Sequence, residues 1–192
     1  LESACIDGLQ EFHSGLAIPN FSATFLKAFV KQGHALSDEE LRKYDLVLDM
    51  QKEKSHYGRQ FPLKYFDVPF NFCLTYEGQL IASVGFMPSE GALFIKQIQG
   101  IKGRHDVLKP IKWERALVNY AFNWAKEQGI PAVKIVSAEN NRWAHAKGHL
   151  SLEQGKMLYD VTAKRCGFKE DSDKNYTRYT VETAVPVLAG SA

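Results

Sequence analysis

Several things are scarce in this sequence, and each scarcity excludes something. Cysteine is one: Cys5, Cys73 and Cys166 are the only three, with no metal-ligand spacing and no dense disulfide framework, so reduced thiols in a cytoplasmic protein are expected. Long apolar runs are another. None approaches the roughly 18–20 residues that span a bilayer, and no signal-peptide pattern opens the sequence. Charge of one sign is the third: 24 basic and 22 acidic residues leave +2, too little to argue for nucleic acid or a lipid surface as main partner. Internal repeats and low-complexity tracts are absent, and the terminal Ala189-Gly190-Ser191-Ala192 carries no functional signal. What is present, 45% hydrophobic and 24% charged residues over 192 positions, suffices for one domain with a sizeable core.

Periodicity divides the chain. Residues 1–65 read as a helical N-terminal part. Phe25, Ala28 and Phe29 mark a helix over Thr24–Lys31. Ser37-Asp38-Glu39-Glu40 is a capping box, and Leu41, Tyr44 and Leu48 extend its helix to about Lys54. From residue 66 the pattern turns to strands: Asn71–Tyr76, a turn at Glu77-Gly78, Gln79–Phe86, a turn at Pro88–Gly91, then Ala92–Gly100, which together form an antiparallel meander. The period then changes to 3.6. Pro110 suits a first helical turn, and Trp113, Leu117, Tyr120, Ala121 and Trp124 form one apolar stripe, with Gly129 just past the end. A short strand, Ala132–Val136, a polar stretch over 138–156, a helix Lys156–Cys166 closed by Gly167, and a strand Tyr176–Val181 complete the core over 66–182; 183–192 form a tail. A strand, a crossover helix and a strand suggest a parallel or mixed sheet, and with the antiparallel meander the expected fold class is α/β, a mixed, mostly antiparallel central sheet flanked by helices.

Four pieces, over about residues 66–182, make this order resemble the GNAT acyltransferase superfamily. They are the hairpin Tyr76–Phe86, the glycine segment Gln97-Ile98-Gln99-Gly100-Ile101-Lys102-Gly103-Arg104, the strand end Val136-Ser137-Ala138-Glu139-Asn140, and Leu158-Tyr159 followed by Cys166-Gly167-Phe168. The resemblance implies a single GNAT-like domain over 1–192 that binds acetyl-CoA or another acyl-CoA as co-substrate. It also implies a small-molecule or peptide amine as acceptor, and leaves room for a homodimer. Independently of the family, glycines without Cβ, next to Lys102 and Arg104, suit a diphosphate held on backbone N–H groups; two turn-forming glycines are the plainer reading. The sequence departs from the family's pattern here, because His105-Asp106-Val107-Leu108-Lys109 separates the glycines from Pro110.

On the resemblance, Gln97, Ile98, Gln99, Gly100, Lys102, Gly103, Arg104 and Asn140 would bind the cofactor. The segment Gln97–Gly100 would also hold the oxyanion. The family's thiolate-protonating tyrosine position holds Ala163, four residues before Gly167; Tyr159 is one turn earlier and serves only if the helix is shifted, packing being its other reading. The third meander strand carries no acid, so Glu139 is the candidate base, with a solvated loop residue as the alternative. Asn140 suits a loop cap equally well. His145 and His149 have zinc-compatible i, i+4 spacing but no interleaved glutamate and no third ligand, so no metal is expected. Cys166 has no base beside it in sequence and is not expected to be a nucleophile. Two functions follow: an N-acyltransferase acting by direct attack of the amine, or a catalytically inactive module of the same fold that binds CoA, a ligand or a protein partner. A purely structural domain is a third reading.

Overall fold

A computed structural model of the chain describes residues 21–50, 67–142 and 150–181. Two short helices, α1 (Ala23–Lys27) and α2 (Asp38–Leu41), precede strands β1 (Tyr44–Met50), β2 (Phe70–Tyr76), β3 (Gln79–Ser89) and β4 (Ala92–Gly100). Helices α3 (His105–Leu108) and α4 (Trp113–Glu127) follow, then β5 (Ala132–Ile135), α5 (Leu152–Gly155), a π-helical segment Lys156–Asp160, α6 (Val161–Arg165), β6 (Lys169–Glu170) and β7 (Tyr176–Tyr179). The seven strands form one sheet in the order β1-β2-β3-β4-β5-β7-β6, with β4 and β5 parallel and every other pair antiparallel. This is the mixed, mostly antiparallel sheet that the pattern predicts. No helix among the described residues is long and apolar enough to cross a membrane.

The core is an aromatic layer between the sheet and α4. Phe72 and Phe86 stack at 4.9 Å, and Tyr120 and Trp124 of α4 meet Phe72 edge-on at 5.4 and 5.6 Å. The apolar stripe of α4 therefore faces β2 and β3, and Gly129, at φ +71, ends the helix region as its sequence position implies. Because side chains alternate along a strand, Asn71, Ser83, Gly85, Gln97 and Gln99 fall on the opposite face. That face carries the polar groups considered below.

Two expectations are corrected. The helix drawn to Lys54 ends at Leu41, and Tyr44–Met50 is strand β1, paired residue for residue with β2. The capping box forms as expected, with Ser37 Oγ accepting from Glu40 N–H and Glu40 Oε2 from Ser37 N–H, but it caps one turn only. Tyr44 and Leu48 fit a helical period, yet with Leu46 they also fit a period of two, and seven ladder positions outweigh a short helix. The N-terminal part is thus not wholly helical; residues 1–20 and 51–66 lie outside the described residues. Similarly, the long helix starts at Trp113 rather than at Pro110, whose carbonyl accepts from Lys31 N–H. The residues inserted after the glycines form α3.

Candidate active site

Strands β4 and β5 pair only from Ala92↔Ala132 to Ile95↔Ile135. Val136 N–H donates to Ile95 O at 3.0 Å, and beyond that β4 runs on to Gly100 without its neighbour. A bulge assists the parting: Gly85 opposes Gln97 while Phe86 opposes Ile95, so Lys96 is the extra residue and the strand bends there. With β5 ended at Ile135, the edge of β4 from Lys96 to Gly100 has no strand beside it on that side among the described residues, and this opening is called the V below. Parting leaves backbone N–H groups that must find partners, and the π-helical segment supplies two from successive residues. Tyr159 Oη accepts from Ile98 N–H on β4 at 3.1 Å, and Asp160 Oδ1 accepts from Ala138 N–H past β5 at 2.8 Å. Tyr159 and Asp160 both lie in this π-helical segment, a form that often marks functional sites. Ala163, four residues before Gly167, is fully buried packing.

Tyr159 is 3% exposed. Burial raises its pKa above the ordinary 10, and the charge of Asp67 adds to the rise, while the Ile98 N–H and the Asn141 side-chain amide favour the ionised form and oppose it. Its oxygen thus accepts from its surroundings and keeps its own proton to give.

Beside the V, on the face opposite α4, lies a recess of about 450 Å³ floored by Val68, Met87, Phe94 and Val136 and edged by Asp67, Lys96, Asn141, Arg142 and Asn175. Gln97 anchors one wall. It donates to Asp67 Oδ2 at 3.3 Å and to Gln99 Oε1 at 2.8 Å, and accepts from Asp67 N–H at 3.2 Å. Arg142 lies 3.8 Å from Asp67 Oδ1.

A second, larger groove of about 730 Å³ runs between the start of α4 and the last helical rod. Lys31, Lys112, Arg115 and Arg165 line it against the carboxylates of Glu114 and Glu153, with Leu150, Met157 and Leu158 as apolar lining. Four cations with an apolar strip fit the chemistry of a polyphosphate carrying a flexible arm. Lys31 is fixed there by its segment, where Lys31 N–H donates to Pro110 O and Lys112 N–H to Phe29 O, both at 2.8 Å. Burial raises the pKa of Glu114, against the nearby cations and its own backbone N–H.

The glycine segment borders this groove without lining it. Gly100, Lys102 and Gly103 edge an adjoining recess of about 450 Å³ that shares Lys31 and Glu114 with the groove. Both glycines have conformational reasons to be there: a Cβ on Gly100 would come within 3.2 Å of Trp113, and Gly103 sits at φ +85. Arg104 is turned away from the recess, its guanidinium hydrogen-bonded to Gln79 Oε1. Asn140 caps a loop, donating to Asp173 O at 2.9 Å and Asn175 Oδ1 at 3.0 Å, while also edging the smaller recess. Glu139 is exposed. Cys73 and Cys166 are buried and free, and burial first of all pushes the Cys166 thiol up to about 11, which disfavours a nucleophilic thiolate. His145 and His149 lie outside the described residues. Sequence reasoning missed Asp67, Asn141 and Asp160. Only Asp160 carried a local signal, following Tyr159 directly; the others reach the site through contacts that no spacing reveals.

No protein-family model matches the chain, and no curated protein matches it either. Among solved structures it is similar to a GNAT family N-acetyltransferase (YhbS) from Escherichia coli in complex with CoA, at 14% identity and TM-score 0.39, over 86% of this chain and 80% of that one. It is also similar to the ribosomal-protein-S18-alanine N-acetyltransferase from Escherichia coli, at 12% identity and TM-score 0.36, over 85% and 88%. Likenesses this distant carry no argument about activity, which rests on the site itself.

Proposed function

We propose that this chain is an acyl-CoA-dependent N-acyltransferase that moves an acyl group, acetyl in the first instance, onto a small-molecule or peptide amine. The observation that carries the reading is the buried Tyr159 hydroxyl on the Ile98 N–H, at the point where β4 leaves β5. A thioester laid in the V has an acid, the Tyr159 hydroxyl, beside it. The cationic groove, which Leu158 lines next to Tyr159 in the chain, suits the diphosphate of coenzyme A. The glycine segment, set apart by α3, contributes at the border.

The amine nitrogen attacks the thioester carbonyl carbon. As the C–N bond forms, the carbonyl oxygen gathers charge that a β4 N–H can stabilise. The C–S bond then breaks, the sulfur takes the Tyr159 proton, and the nitrogen gives up its own. A second reading, a module that binds CoA or a partner without turnover, is favoured by two observations: β4 has no carboxylate, and Glu139 is exposed.

Incubation with acetyl-CoA and a panel of glycinamide, putrescine and a peptide with a free N-terminus tests the reading. The expected result is an N-acetylated product by mass spectrometry with one equivalent of free thiol. Coenzyme A binding without amide formation would support the second reading instead.

A further inference from the structure

We infer that Asp67 is the proton acceptor for the attacking amine, an inference that rests on the acyltransferase reading above. Asp67 is the one acid among the described residues lining the recess beside the V. Strand β4 borrows it: Gln97 projects from the strand and clamps Asp67 in both directions, its amide donating to Oδ2 and its carbonyl accepting from the Asp67 N–H. Two hydrogen bonds thereby tie a carboxylate outside the strands to β4. Its side chain is 30% exposed, open enough to meet a substrate and covered enough to be oriented. Arg142, 3.8 Å away, balances part of its charge and borders the same recess.

The acid and the base are coupled. Burial most, and the charge of Asp67 least, favour the protonated form of the Tyr159 hydroxyl. In the step itself, attack makes the nitrogen positively charged and so far more acidic than a free ammonium. Its proton passes to an Asp67 carboxylate oxygen, the C–S bond breaks, and the sulfur is protonated by Tyr159. Solvent then returns the carboxylic acid and the tyrosinate to their starting forms, so the net change is amine plus thioester to amide plus thiol. Gln97 acts through Asp67 and is a positioning residue. Lys96, at the bulge and against the Phe94 ring at 4.9 Å, gives the recess a cationic edge.

The test uses the full chain with acetyl-CoA and whichever panel amine the wild type acetylates. Asp67→Asn, of the same shape, is expected to lower kcat about 100-fold and to leave the thermal shift given by acetyl-CoA unchanged. Asp67→Ala should be equally slow, and added formate should restore its rate in proportion to concentration, which a purely structural role would not allow. Wild-type turnover by Asp67→Asn overturns the proposal while sparing the acyltransferase reading. A loss in both variants that formate cannot restore assigns Asp67 a structural role and also overturns it. A wild type that acetylates no amine removes the reading and the proposal together.

Discussion

Tyr159→Phe is expected to lower kcat about 1,000-fold, since it removes a positioned general acid, with little change in acetyl-CoA binding. The ring stays and keeps its packing; only the hydroxyl goes, leaving Ile98 N–H without its acceptor. The pH profile adds a second reading of the same residue. Tyr159 works as an acid only while protonated, and burial first, then the charge of Asp67, raises its pKa above the ordinary 10. The wild-type rate should therefore hold through neutral and mildly alkaline pH and fall only as pH rises past that raised value. Tyr159→Phe should lack this fall. The matching stability term has the same sign: the raised folded value contributes stability below about pH 10, and this is lost as pH rises through it. A wild-type kcat in Tyr159→Phe would return the residue to plain packing.

Gly85→Ala should be costly for a residue that adds one methyl group. The new Cβ would sit 2.5 Å from Val68 Cγ2, 2.7 Å from Asn71 Oδ1 and 3.1 Å from Gln97 Oε1. Val68 and Asn71 are buried and Gln97 is clamped to Asp67, so none can yield cheaply. Overpacking of this kind costs about 3 kcal/mol, or roughly 8 °C in Tm for a chain of this length. Activity should fall further than stability explains, because the displaced groups hold Asp67. Pairing Gly85→Ala with Val68→Ala should recover part of the lost stability, as expected of neighbours in contact. An unchanged Tm in Gly85→Ala would mean that the segment over Gly85 gives way freely.

How far the sequence reveals this molecule depends on the range of the contact involved. The meander was legible because Glu77-Gly78 and Glu90-Gly91 punctuate runs of strand-forming residues, and α4 because Trp113, Leu117, Tyr120 and Trp124 recur at helical spacing. Strand β1 was not, because Tyr44 and Leu48 satisfy both periods and only the ladder with β2 decides between them. In the site, Tyr159 and Ile98 could be named from local patterns. Asp67 could not: its tie to Gln97 spans 30 residues and depends on which face of β4 is polar. Asn140 was singled out where its neighbour Asn141 touches the tyrosine, a one-residue difference set by the loop that follows β5. Arg104 looked suited to phosphate, yet Gln79, opposite it across the sheet edge, takes the guanidinium.

The most direct test of the central claim is a thermal melt of the full chain with millimolar acetyl-CoA and, in parallel, free coenzyme A. The four cations of the groove predict binding of both. A ligand at about 100 times its Kd stabilises the folded state by about 2.7 kcal/mol, which raises Tm by about 5 °C or more at this size. A shift with both ligands is the predicted result. No shift with either would contradict the account, since a chain that does not hold the thioester cannot present it to Tyr159.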